Sequence, residues 1–303
     1  MSLAELESRE VQLEAPSGGL LSESWSRLRR NPGAIVGFTL VGLFVFVALF
    51  APLIAPEDPR AGDLSRLGGR CCPGPSSEHL FGVDQQGRDQ LSRIIFGARF
   101  SLLIGVVSVA VGLSIGLLLG SIAGYVGGIV DSVIMRLMDI MLSIPGLLLA
   151  IGIVAALGPG LTQIMIAVGA TQIPVFARLL RGSVLAQRDN DFVLAARAVG
   201  VPRRTILASH ILPNAISPVI VQGTLALATA IIDVAGLGFL GLGPQDPSTP
   251  EWGTMLTDTT RYLQTAPHLA IIPGVAIVLS VLGFNLIGDG LREALDPKLR
   301  GRG

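Results

Sequence analysis

Residues 101–124 read SLLIGVVSVAVGLSIGLLLGSIAG, an unbroken run without a single charge. As a helix this run would be about 36 Å long, and the hydrocarbon of a bilayer is about 30 Å thick. It is apolar on every side, which is the mark of a helix surrounded by lipid or by other helices, not of one facing water. The same reading extends outward to residues 34–55, 133–157, 161–180, 215–243 and 268–289. The expected architecture is therefore an all-α integral membrane protein with six transmembrane helices. Composition agrees: half of the 303 residues are hydrophobic, 15% are charged, and the mean hydropathy is +0.65. A soluble domain of this size is seldom so apolar. The fifth span is the weakest, being interrupted by Gln222 and Asp233. The first apolar run begins after more than 30 polar residues and is too long for an h-region, so no N-terminal signal peptide is expected.

Charge sets the orientation. With both termini in the cytoplasm, Arg27, Arg29, Arg30 and Arg136 lie inside. So do the arginines of the loop 181–213, together with Arg292, Lys298, Arg300 and Arg302. The positive-inside rule favours this arrangement. Arg88, Arg93 and Arg99 would then lie near the outer face, where an interfacial helix with Leu91, Ile94 and Ile95 on one side would let the cations snorkel. The layout is a cytoplasmic segment 1–33, a first span 34–55 and an external loop 56–100 with that interfacial helix. A core transmembrane domain of five helices, 101–289, follows and contains the cytoplasmic loop 181–213; residues 290–303 form a cytoplasmic tail. Formal net charge is zero, which argues against nucleic acid as a partner. Cys71 and Cys72, adjacent in the external loop, do not make a metal site; they read as two thiols or as a vicinal disulfide.

Two patterns resemble catalytic motifs, but their context speaks against that reading. Gly112-Leu-Ser-Ile-Gly116 has the nucleophile-elbow spacing, yet it sits inside an apolar span, far from the strand-to-helix turn the motif needs. Gly112, Gly116, Gly120 and Gly124 recur every four residues and make a flat ridge for close helix packing. Gly236-Leu-Gly-Phe-Leu-Gly241 has dinucleotide spacing with no strand before it; it reads as the loosening end of a span. No phosphate-binding loop ending in Gly-Lys-Ser/Thr is present, so the chain is not expected to hydrolyse ATP by that route. A membrane-embedded hydrolase would rest on Ser114 alone.

The loop 181–213 is too polar to span. Asn190 or Asp191 can cap a helix through 192–199, and Gly200 can end it. Pro202 suits the start of a second helix, 202–211, which Pro213 would stop. The surface of this pair mixes Ala195, Ala196 and Ala198 with Phe192, Val199 and Leu207. Such a helix either lies in the bilayer interface or fills a groove in a partner, and physics leaves both open.

Leu194-Ala-Ala-Arg-Ala-Val-Gly200 followed by His210-Ile-Leu-Pro213 resembles the EAA loop of binding-protein-dependent ABC transporter permeases. Ala195, Ala196, Gly200, Leu212 and Pro213 match the pattern; Leu194 stands in place of its Glu and His210 in place of its usual Ile. The resemblance covers nearly the whole chain. Asn31-Pro-Gly33, Phe81-Gly-Val-Asp84, Gly87-Arg-Asp89, Ser92-Arg93 and Gly97-Ala-Arg99 are similar to the dipeptide, oligopeptide and nickel subgroup. So are Gly238-Phe-Leu-Gly-Leu-Gly243, Pro250-Glu-Trp-Gly253 and Phe284-Asn-Leu-Ile-Gly-Asp-Gly290. These last stretches, with Asp296-Pro297, resemble the C-type subunit closely.

The resemblance implies the type I ABC importer permease fold in a bacterial inner (plasma) membrane. It implies a paralogous permease as heterodimer partner, two ATPase subunits or one fused double ATPase that bind ATP and Mg, and an extracytoplasmic solute-binding protein. This chain itself would hold no cofactor. The loop would dock on the ATPase through Phe192, Leu194, Ala195, Ala196, Arg197, Val199, Gly200, Pro202 and Leu207. The cargo would be a di- or oligopeptide, with nickel chelates or haem as alternatives. An ATP-independent channel or secondary transporter is the rival from another class. Asp233, Gln222 and Met135 are candidates to line the path; Asp233 would otherwise hydrogen-bond neighbouring helices, since an intramembrane charge must face an interior or water. Asp131, Arg136 and Asp139 form a cluster at the start of the third span, where Arg136 could pair with Asp139 three residues on.

Overall fold

The computed structural model describes residues 25–68 and 71–295. The main elements are helical: α1 (Pro32–Ile54), α2 (Gln90–Val126), α3 (Gly128–Leu142), α4 (Gly146–Leu157) and α5 (Leu161–Arg188). Next come α6 (Asp191–Ala198), α7 (Arg203–Thr205), α8 (Leu212–Ala215), α9 (Ser217–Leu237), α10 (Trp252–Thr259) and α11 (His268–Leu295). Five of these, α1, α2, α5, α9 with its terminal π-turn, and α11, are long and apolar enough to cross a membrane. The segments of the cytoplasmic assignments 1–24 and 296–303 lie outside the described residues.

α1 shows what the solvent must be. Asn31 caps it by accepting from the Ala34 amide at 3.0 Å, and Pro32 follows at the first helical position. Of its residues only Ala34, Gly37 and Ala51 are buried, while Leu49 and Leu53 are 70% and 80% exposed. That much exposed apolar surface is stable in lipid, not in water. α1 is held along α11, where Gly37 lets the two backbones approach: a Cβ there would lie 2.8 Å from the Gly283 carbonyl oxygen. Asn31 Nδ2 also donates to Glu293 Oε2 at 2.6 Å.

The expected interfacial helix near 88–99 is not separate. Residues 90–100 are the opening turns of α2, a single 37-residue helix of about 55 Å. Arg88 and Arg93 do not snorkel either. Both are 2% exposed and face Asp84, with Arg88 Nε donating at 2.6 Å and Arg93 Nε lying 3.5 Å away. Burying a guanidinium requires a carboxylate and further acceptors, and Arg88 Nη1 also donates to the Pro247 carbonyl at 2.6 Å. Asp89 caps α2, accepting from the amide and hydroxyl of Ser92 at 2.7 and 2.8 Å. Cys71 and Cys72, in the same loop between α1 and α2, are bonded to each other.

The third expected span is two helices. α3 and α4 meet at 92° across 143–145. Pro145 disfavours helical geometry at Ile144 and cannot donate a backbone hydrogen bond, so the chain turns there. The fourth span runs on past Leu180 to Arg188, which moves the start of the loop beyond the arginines Arg181 and Arg188.

The largest core joins α2, α4, α5 and α9, with Ile104, Val154, Ile164, Phe176 and Val234 essentially inaccessible. The glycine ridge decides how α2 and α5 meet. A Cβ at Gly112 would lie 2.6 Å from the Gly169 oxygen, at Gly116 2.6 Å from Phe176 Cβ, at Gly120 2.4 Å from the Ala177 oxygen, and at Gly124 3.0 Å from the Arg181 oxygen. Four helical turns of α2 thus lie directly on the backbone of α5, the contact that small residues permit in membranes. Ser114, within the elbow-like pattern, donates to the Ala110 carbonyl of its own helix at 2.7 Å.

Candidate functional site

The loop between α5 and α9 is built from the chain upward. α6 begins after Asn190, whose backbone is extended and whose side chain bonds Gln187 Oε1 at 2.8 Å instead of capping the helix. α6 ends in a Schellman motif. The Gly200 amide donates to Arg197 and the Val201 amide to Ala196, each at 3.0 Å. Gly200 has φ +79°, with open space where a Cβ would point, so its glycine serves the backbone angle and not packing.

The second piece departs from the expected helix 202–211. α7 is one turn, and residues Ile206–Ile211 form a π-turn in which the Leu212 amide reaches the Leu207 carbonyl. Pro213 does not stop the helix. It sits in the first turn of α8, where a missing amide costs nothing, and the wider π-turn before it makes room for its ring.

The two faces of α6 differ. Val193 and Ala196 are buried and join Leu180, Val184, Ile206 and Ile211 in the main core. Phe192, Leu194 and Val199 are 39%, 49% and 80% exposed. Ala195, Arg197, Gly200 and Pro202 are exposed as well, and Leu207 is half-buried. Ala196 therefore faces inward, anchoring the helix rather than offering a contact. Val193, which the sequence reading passed over, is the other anchor; its three-residue spacing from Ala196 is the signal that could have found it.

The charges near the loop are paired across helices. Arg181 binds Asp131 through two nitrogens at 2.5 and 2.6 Å, and Arg178 binds Asp139. Arg136 does not pair with Asp139. The α5 guanidinium reaches the carboxylate from the facing helix, which ties α3 to α5 where a pair along α3 would tie it to nothing. Asp233 and Gln222 are half-buried on α9, eleven residues apart and so on one face of the helix. Asp233 makes no side-chain hydrogen bond or ion pair among the described residues. Met135 is half-buried on α3, which packs against α2 and α5.

At the other end, Glu251 caps α10. Its carboxylate is 1% exposed and accepts from the amides of Gly253 and Thr254 at 2.8 and 2.9 Å and from the Ser101 hydroxyl at 3.2 Å. Burial pushes this carboxyl above its ordinary range, and the hydrogen bonds pull in the opposite direction. Trp252 beside it is fully buried and donates to the Ile94 carbonyl at 3.2 Å. Phe44 packs edge-on against its ring at 5.6 Å. The sequence signal was Pro250-Glu-Trp-Gly253, legible as a motif but not as a buried cap.

Comparison with known proteins gives the site its setting. Residues 116–301 match the family described as the inner membrane component of binding-protein-dependent transport systems. Residues 19–67 match the N-terminal transmembrane domain of oligopeptide transport permease C. The chain is 47% identical to the dipeptide transport system permease protein DppC of Alkalihalophilus pseudofirmus, over 92% of this chain and 90% of that one. It is 48% identical to the di/tripeptide transport system permease protein DppC of Pseudomonas aeruginosa, over 92% and 93%. It is 49% identical to the glutathione transport system permease protein GsiD of Shigella flexneri, over 92% and 91%. Among solved structures, a chain of the inward-facing MetNI methionine ABC transporter superposes with a TM-score of 0.56 at 21% identity, covering 67% of this chain and 96% of that one. That likeness places the fold among type I ABC importer permeases. The apolar spans, the ridge-packed bundle and the loop held below it are those of a multi-pass transport subunit, and the chain belongs to the family of inner membrane components of binding-protein-dependent transport systems.

Proposed function

We propose that this chain forms half of the translocation path of an ATP-driven peptide importer and takes its power stroke through α6. The permeases it resembles at 47–49% identity are named for dipeptides, di- and tripeptides and glutathione, so the proposed cargo is a short peptide. A related permease chain completes the path, a solute-binding protein delivers cargo outside, and both termini lie in the cytoplasm. The ATPase subunits supply ATP chemistry; the role of this chain is mechanical.

One observation carries the reading. α6 presents Phe192, Leu194 and Val199 outward while Val193 and Ala196 lock it into the core of α5 and the π-turn. A helix-in-groove contact needs such exposed apolar anchors, and force transmission needs the inward lock. When the ATPases close on ATP, they draw α6 and its counterpart together, and α5 and α9 tilt with them. Switching the path fully requires the ATPases to favour one permease state by roughly 5.5 kcal/mol. Asp233 and Gln222, on one face of α9, would line the opened path; that Asp233 has no side-chain hydrogen bond or ion pair among the described residues supports that role over helix bonding.

Gly200→Arg tests the coupling. The arginine puts a side chain where only φ +79° is tolerated and projects it from the docking face. The expected outcome is normal membrane insertion with ATP-coupled uptake abolished and the ATPase no longer co-purifying. Normal coupled uptake by this variant would refute the coupling role, and uptake by the wild-type chain without any ATPase would favour a channel or secondary transporter.

A further inference from the structure

Where α2 and α5 end side by side, a cleft of about 1080 Å³ opens between them and the loop. Four guanidinium groups, Arg188, Arg197, Arg203 and Arg204, rim it against one carboxylate, Asp189. Arg188 is partly engaged, with Nε 3.5 Å from Asp189 and Nη1 donating to the Gly124 carbonyl at 3.4 Å. Arg197 donates to the Arg188 carbonyl at 3.3 Å. Arg203 and Arg204 are exposed and make no side-chain hydrogen bond or ion pair among the described residues. The rest of the lining, its floor, is of another kind: Ile122, Tyr125 and Val126 of α2, with Val201, Ile206 and Leu207 of the loop. Val126 is 61% exposed, and the chain continues into Ile129 and Val133, 82% and 64% exposed.

We propose that this cleft binds the headgroup of an anionic phospholipid, with an acyl chain lying along Ile122 and Val126. Three features favour that occupant. The cleft lies at the end of the uncharged run 101–124, the depth at which hydrocarbon gives way to headgroups. Its positive excess and the planar donor forks of arginine match a phosphodiester, and basic pockets between spans are known to hold such headgroups. Its apolar floor would be left wet by free phosphate and is covered by a lipid tail. Tyr125 sits where interfacial aromatics are enriched. The proposal leaves Phe192, Leu194 and Val199 to the ATPase, claims Arg197 and Leu207 from the residues the resemblance offered to it, and requires that the chain resides in a bilayer, so it stands whatever the cargo or the direction of transport.

The test is native mass spectrometry of the full-length chain in its assembled complex, offered phosphatidylglycerol, phosphatidylcholine of the same chain length, or inorganic phosphate. The expected result is selective retention of phosphatidylglycerol that millimolar phosphate does not displace. Arg203→Gln with Arg204→Gln lowers retention roughly thirtyfold, the factor two interfacial arginines contribute, and Arg203→Lys with Arg204→Lys keeps most of it. Equal retention of the two lipids, retention by the Gln variant matching wild type, or displacement by phosphate overturns the proposal. A Gln variant that keeps its lipid and loses a protein subunit assigns the arginines to that subunit and also overturns it. A photoactivatable phosphatidylglycerol asks the question of the wild-type chain: label on peptides spanning 122–126 and 203–207 supports the site, and label confined elsewhere refutes it.

Discussion

The two ends of α2 sit in opposite regimes. At its start, Asp84, Arg88, Arg93, Glu251 and Trp252 are all at most 4% exposed and knit the loop between α1 and α2 to α10 and the bundle. Near its finish, α6 buries Val193 and Ala196 and leaves Phe192, Leu194 and Val199 in the open. One end spends its polar groups on one another; the other holds apolar groups with nothing over them. A buried, mutually satisfied network rigidifies, whereas an exposed apolar face on a fixed helix invites a partner. A machine that moves one end against the other would need this division, with a firm frame and a handle.

The comparison breaks most visibly at the frame. Asp84→Ala leaves the Arg88 guanidinium buried without its carboxylate, and removing one partner of such a pair costs about 3–5 kcal/mol. The expected outcome is a large fall in the thermal midpoint of the purified complex, or loss of the folded chain from the membrane. A midpoint within a degree or two of wild type would show that this network is ornament to a fold held elsewhere.

Two glycines sharpen the contrast with a smaller effect. Gly120 is needed for space, since a Cβ would press on the Ala177 backbone at 2.4 Å; Gly120→Ala forces α2 and α5 apart and should cost about 1–3 kcal/mol. Gly200 is needed for its φ of +79° and has open space, so Gly200→Ala should cost about 1 kcal/mol. Gly200→Asn, which tolerates left-handed geometry, should recover much of that loss, while Gly120→Asn should be worse than Gly120→Ala. Thermal midpoints of the four variants check the order.

Helix existence was legible because lipid imposes it: an uncharged run such as 101–124 has one stable conformation in hydrocarbon. The ridge of Gly112, Gly116, Gly120 and Gly124 was legible for the same kind of reason, a local period with a single geometric use. What escaped depends on partners far along the chain. Arg88 and Arg93 looked like interfacial cations because the sequence shows their charge but not that Asp84 is folded against them. Arg136 was offered Asp139 by spacing along one helix, yet Arg178 and Arg181 arrive from another. The 92° turn between α3 and α4 escaped the reading of 133–157 as one span, because a proline such as Pro145 fixes where a helix breaks while the packing around it fixes by how much. On the loop, Phe192, Val199 and the turn at Gly200 were legible, but nothing local tells Ala195 from Ala196, or marks Leu207 as half-buried, without the core that buries Ala196 and packs against Leu207.

The smallest expected effect on stability belongs to the handle, and it makes the sharpest test of the comparison. Leu194 is 49% exposed and lies outside the core that holds α6. Leu194→Ser removes a half-exposed apolar side chain that lies outside that core, so the thermal midpoint of the purified chain should stay within the range of ordinary surface substitutions, about 0.5 kcal/mol. Its association with the proposed ATPase partner should nonetheless weaken by tenfold or more, the scale of a truncated interface anchor, about 1.4 kcal/mol. Val193→Ser, one residue away but buried, should do the reverse: lower the midpoint first and lose association as a consequence. If the two variants behave alike, α6 does not divide into an anchored face and an offered one, and the handle is simply another part of the frame.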